Sequence, residues 1–332
     1  MLIPRYWSRA ESQAVTPDGK PVRFHVWRGS RSSPAEAQSL ADEAVSRIAD
    51  RISRGGGFPE RYAYGDRPLR EEVVREIPGA GDAPNVAITR NSYGALVLNA
   101  ASAFFIDVDV AGLEAGPQAH QPAPSTSSGP STPGGSLWGL VDSLPLPGGL
   151  RSIVDQFRPA SGSTPAPSAP STSSTPASRD GTSASVDRLR RFVAARPEWR
   201  VRVYRTFAGL RYLVVHAPFS PNDPDVQAAM AAVGADPQYI RLCQVQKSFR
   251  ARLTPKPWRI GVENPPVTFP YEGPGEESEM RGWAARYDAA SARRATCHFV
   301  EEIGSGSEHP DVAAVRALHD EHTRATSGLP LA

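Results

Sequence analysis

Arg200-Val201-Arg202-Val203-Tyr204-Arg205-Thr206-Phe207-Ala208-Gly209-Leu210-Arg211-Tyr212-Leu213-Val214-Val215-His216 decides the fold class. Arg200 to Thr206 and Leu210 to His216 have the β-branched and aromatic content of strands, and Phe207-Ala208-Gly209 supplies a tight turn between them. A hairpin of this kind implies antiparallel pairing. Working outward, Phe104-Phe105-Ile106-Asp107-Val108-Asp109-Val110, Val86 to Arg90 and Val22 to Trp27 read as further strands. Phe249 to Leu253 and Trp258 to Val262 have extended character. Helical spacing of apolar residues predicts helices from Ser33 or Pro34 to Ser53, and over Pro68–Ile77, Val186–Ala195, Pro224–Val233 and Tyr239–Gln246. Ser185 is placed to cap the third of these. Glu279–Ala295 and Asp311–Ala325 read as C-terminal helices. The pattern is that of an α+β domain, with a mostly antiparallel sheet, packed helices and a helical C-terminal segment.

Proline and glycine are concentrated. The chain of 332 residues contains 33 Pro and 28 Gly. From Ala115 to Ser185 it is mostly Pro, Ser, Thr, Gly and Ala, a composition too poor in apolar surface to offset chain entropy. This stretch reads as a disordered insertion between two parts of one domain, residues 1–114 and 186–332. Within it lies an apolar island, Leu137 to Phe157, read as docking on the body, recruiting a protein partner or touching a membrane surface.

Formal net charge is +2, from 37 basic and 35 acidic residues. That excludes the strongly cationic surface of a dedicated duplex-binding protein. Only Lys20, Lys247 and Lys256 are lysines, so arginine abundance reflects overall composition more than phosphate recognition. Cys243 and Cys297 cannot make a disulfide framework and read as buried free thiols of a cytoplasmic protein. No run of about 18 apolar residues is present to span a membrane.

Three groups of residues bear on chemistry. Asp107 and Asp109 are two apart on a strand and share a face, where paired carboxylates suit Mg²⁺ or Mn²⁺, or else simply lie at a strand end, solvated or paired with arginine. Pro237 to Val262 carries Arg241, Lys247, Arg250, Arg252, Lys256 and Arg259 and no acid until Glu263. These cations, with Trp258 as a stacking surface, suit the phosphates and bases of a nucleotide or a single-stranded nucleic acid. The equal alternative is a solvated face paired with the acidic Glu272–Glu279 stretch. Thr89-Arg90-Asn91-Ser92-Tyr93-Gly94 forms a turn whose Arg90 and Asn91 line the aspartate face or satisfy their own backbone. His298, His309, His319 and His322 read as surface histidines.

An Asp-x-Asp strand, a helix, then a hairpin turning at Ala208-Gly209 resembles the palm of the archaeo-eukaryotic primase superfamily. The resemblance implies metal-dependent nucleotidyl transfer, with Asp107 and Asp109 as catalytic metal ligands. Where that family places a phosphate-binding histidine, this chain has Arg211; His216 lies five residues later, and no third acid is identified. Met1 to Trp7, Thr89 to Ala95 and Leu253 to Arg259 also resemble segments of a set of bacterial proteins with no established activity. The rival reading is a non-catalytic interaction protein acting through the apolar island.

Overall fold

The computed structural model describes residues 1–56, 69–79, 84–110 and 177–332. Most of the expected insertion, and the whole island Leu137–Phe157, lie outside the described residues. The described residues form an α+β fold of six α-helices and ten strands, every strand pair antiparallel.

One four-stranded sheet has the order β10-β7-β8-β6, with β6 Phe104–Asp109, β7 Arg200–Thr206, β8 Gly209–Val214 and β10 Cys297–Gly304. The second has the order β3-β4-β5-β9, with β3 Glu72–Pro78, β4 Pro84–Arg90, β5 Leu96–Ala100 and β9 Phe249–Arg252. Their edges meet where β6 lies beside β9. The Tyr239 hydroxyl joins them, 2.9 Å from the carbonyl oxygens of both Phe105 and Arg250. One apolar core spans the two sheets, from Val86, Ile88 and Leu98 to Phe104, Ile106, Val203 and Tyr212.

The helices are α1 Pro34–Ser53, α2 Ala177–Ala194, α3 Pro224–Val233, α4 Pro237–Gln246, α5 Pro274–Ser291 and α6 Pro310–Thr323. Their starts follow local chemistry. Ser33, Asp223 and Asp236 each accept a backbone N–H of the first turn, and a proline follows each with its φ already helical. A separate hairpin, β1 Tyr6–Val15 with β2 Pro21–Ser30, is covered by α1 through Ala10, Val26, Ala41, Ala44 and Val45.

Several expectations are corrected. Pro68–Ile77 is not a helix: from Glu72 it is β3, whose Val73 and Ile77 pair with Thr89 and Val86 of β4. Tertiary pairing overrides a short stretch whose apolar spacing fits either period. Trp258–Val262 is not extended, because Pro257–Ile260 forms a 3₁₀ turn closed by the Val262 N–H on the Pro257 carbonyl. Helix α2 starts at Ala177, so the end of the stretch read as a disordered insertion is helical, and Ser185 lies inside the helix and donates to the Gly181 carbonyl rather than capping. Strands β1, β5 and β10 complete the fold beyond the strands read from sequence.

Candidate functional site

Register fixes the first part of the site. Phe299, Tyr204, Arg211 and Asp107 are successive partners across β10, β7, β8 and β6, so their side chains form one row on one face. Helix α6 covers that face, with the His319 ring 5.0 Å from Phe105 and 4.9 Å from Tyr204. Asp107 is thus met from its own sheet. Arg211 Nε lies 2.7 Å from Oδ1 and Nη2 3.0 Å from Oδ2, a bidentate pair. Arg211 Nη1 also donates to the Arg252 carbonyl at 2.9 Å, tying this sheet to β9.

Arg211 is only 2 % exposed, whereas the Asp107 side chain is 38 % exposed. Burial pulls the guanidinium pKa down, but Asp107 more than offsets it and leaves the pKa raised, so Arg211 stays charged. His319, expected at the surface, is fully buried. Its Nδ1 is 3.0 Å from Asp320 Oδ1, and its Nε2 is 3.3 Å from Arg211 Nη1. Because a guanidinium only donates, Nε2 is the accepting nitrogen and the proton sits on Nδ1 toward Asp320. Burial, aided by the Arg211 charge, lowers the His319 pKa to about 4 despite Asp320. Asp320 continues the network to Arg202 at 3.2 Å. Cys297 lies 4.0 Å from His319 Nε2, but burial raises the thiol pKa to about 11, which keeps it protonated and unreactive.

The basic segment divides in two. Arg250 and Arg252 share a face of β9, as their spacing predicts, but Arg250 is committed internally. It donates to Glu71 at 2.7 and 3.0 Å and to Asn99 at 2.6 Å, inside a buried group completed by Thr89. Arg252 Nε is buried and makes no hydrogen bond among the described residues.

Lys256 and Arg259, both half-buried, flank the 3₁₀ turn, and Arg259 Nη1 is itself shielded from solvent. Lys256 Nζ sits 5.4 Å from the centre of the Trp258 ring, and Tyr93 meets that ring edge-on at 5.5 Å. The Arg259 guanidinium lies 3.9 Å over Phe207. The turn therefore bridges the β4–β5 turn, which carries Tyr93, and the β7–β8 turn, which carries Phe207. Strand β6 ends beside the latter, where the Val110 N–H donates to the Ala208 carbonyl and exposed Asp109 stands opposite Gly209.

The structure thus brings Asp107, Asp109, Arg211, Arg252, Lys256, Trp258 and Arg259 to one end of the paired sheets. Tyr93 and Phe207, not singled out as site residues from sequence, join them through ring contacts. Arg90 donates to the Gly94 carbonyl at 2.8 Å, and the Asn91 side chain accepts the Ala95 N–H at 3.0 Å, so both serve the turn that presents Tyr93. His216 lies at the opposite end of β8, where its Nδ1 takes the Arg200 N–H and its ring packs on Trp199 and Phe219. The acidic stretch engages Arg9 and Arg281 through Glu272 and Glu277. Among the described residues, no group of three or more His, Cys, Asp or Glu is placed to hold a metal ion.

No family model, no curated protein and no solved structure matches this chain.

Proposed function

We propose that the chain handles a nucleotide or single-stranded nucleic acid at the cluster built on Pro257–Ile260. One observation carries the reading: two cation–aromatic units, Lys256 with Trp258 and Arg259 with Phe207 of the β7–β8 turn, are assembled around one short turn. Aromatic faces stack on bases of any sequence, while adjacent cations neutralise phosphates. Half-buried rings held by Tyr93 and by the turn backbone lose little freedom on binding, which favours affinity.

The reading stops at binding. For Asp107 and Asp109 to hold Mg²⁺ or Mn²⁺ together, Asp107 would have to exchange a bidentate, buried guanidinium for the cation. Each of its oxygens already accepts one N–H of that guanidinium, whose positive charge would also oppose a second cation, so the pair as built is a poor two-metal centre.

The test is fluorescence anisotropy with a labelled oligothymidylate and, separately, a labelled nucleoside triphosphate. The parent should bind at least one of them, and Trp258→Ala and Phe207→Ala should each weaken binding by about 1–3 kcal/mol. Failure of both probes to bind, or binding indifferent to both substitutions, refutes the proposal. Manganese titration of the parent and of Asp109→Ala addresses the metal reading; a Mn²⁺ site lost in the variant would restore it.

A further inference from the structure

A second surface is independent of that cluster. Between the β1 end of the hairpin and the segment leading into α5 lies an open groove of about 480 Å³. Tyr6, Trp7, Phe269 and Tyr271 line it, together with Pro34, Pro270 and Pro274. Its rings stand nearly perpendicular in sequence. Trp7 meets Phe269 at 6.4 Å and 86°, and Phe269 meets Tyr271 at 5.5 Å and 84°. In each contact the edge of one ring abuts the face of its neighbour, so the faces turned outward form an angled apolar wall. Trp7 lies close over Gly29, where a Cβ would come within 2.9 Å of the indole, so the sequence keeps that wall flat. The prolines have fixed φ and no N–H, which makes the walls stiff and poor in donors.

Charge selects among ligands. Glu277 of α5 lines the groove, and Glu272 stands exposed next to the lining residue Tyr271. Arg5, which lines the groove, is already engaged, its Nε holding Glu76 at 3.1 Å, and nearby Arg9 Nη1 meets Glu272 at 3.3 Å. Glu277 pairs with Arg281 at 3.0 Å, but both side chains are well exposed, and such pairs exchange partners at little cost. An acidic rim repels phosphates and attracts a cationic flank.

We infer that this groove docks a proline-rich peptide in the polyproline II conformation, with a basic residue directed at the glutamates. The aromatic wall packs proline rings from a backbone that is already extended, so little entropy is lost on docking. The glutamates then fix the direction in which the peptide runs.

The test is an anisotropy titration of the full chain with a labelled oligoproline flanked by arginines. Parallel titrations use the same peptide flanked by glutamates and a peptide with glycine in place of proline. Saturable binding is expected for the first, with affinity lower by about fivefold or more for the other two. Tyr6→Ala, at an exposed position, should weaken the first peptide about fivefold with an unchanged melting temperature. Glu277→Lys should abolish the preference for arginine over glutamate flanks. No saturable binding, equal affinity for all three peptides, or indifference to both substitutions overturns the inference.

Discussion

Replacing Asp107 with alanine probes the most committed pair in the structure. Arg211 is 2 % exposed and cannot swing into water, so the substitution strands a buried cation. What remains to it is the Arg252 carbonyl at 2.9 Å and His319 Nε2 at 3.3 Å, neither of them charged. Breaking a fully buried pair costs about 3–5 kcal/mol. Asp107 itself is 38 % exposed, so solvent screens part of the interaction and the lower end applies, about 3 kcal/mol. For a body of this size, that lowers the melting temperature by about 6–12 °C. Urea denaturation of Asp107→Ala, Arg211→Met and the double variant completes the cycle. Because the second substitution removes the stranded charge, the double variant should cost less than the sum of the singles. A loss under about 0.5 kcal/mol for Asp107→Ala, or strict additivity, would refute the account of the pair.

Other outcomes follow from the same geometry. Glu71→Gln removes the charge facing buried Arg250 and should destabilise by about 3 kcal/mol in urea, with Arg250→Met and the double variant showing coupling. Acidification tests His319: its folded pKa lies below the ordinary value, so the unfolded chain takes up the proton first. Its stabilising effect is therefore complete above about pH 6.5 and lost progressively as pH falls toward 4. Between pH 7.5 and 5 the parent should lose about 2 kcal/mol more than His319→Gln, and parallel curves would contradict this. Gly94→Ala combines a φ of +86° with a Cβ placed 2.0 Å from the Trp283 ring, so it should destabilise by about 2 kcal/mol or more and loosen Tyr93. Unchanged melting and unchanged near-ultraviolet circular dichroism would contradict that.

The β7–β8 hairpin was legible because its alternation is clean and its turn residues are small. Helices α3 and α4 were legible from apolar spacing, α3 with its proline start and α4 only from Tyr239, two residues after its start at Pro237. The rest was hidden for physical reasons. Strand β1 is mostly small and polar, and it becomes a strand only because β2 pairs with it and α1 covers it. Strand β10 has a bulge between Phe299 and Glu301 that breaks the alternation. In β3, Glu71-Glu72-Val73-Val74-Arg75-Glu76-Ile77 spaces its apolar residues as a helix would, and only the pairing with β4 decides. Asp107 and the basic segment were named from sequence, and arginine pairing was one reading of the aspartates, but which residues they pair with was not legible. Arg211 pairs across 104 positions and Arg250 across 179, and no local pattern encodes a partner that distant. His319 sits in a polar run, His319-Asp320-Glu321-His322, that reads as a solvated turn of helix until the sheet is placed beneath it.

The most direct measurement of the central claim is the salt dependence of oligothymidylate binding, compared between the parent and Lys256→Ala. Each phosphate neutralised on a single strand contributes a slope of about −0.7 in log affinity against log salt. With Lys256 and Arg259 both engaged, the parent slope should be about −1.4 or steeper, and Lys256→Ala should reduce its magnitude by about 0.7. A flat parent response, or an identical slope in the variant, would contradict phosphate recognition by the turn at Pro257–Ile260.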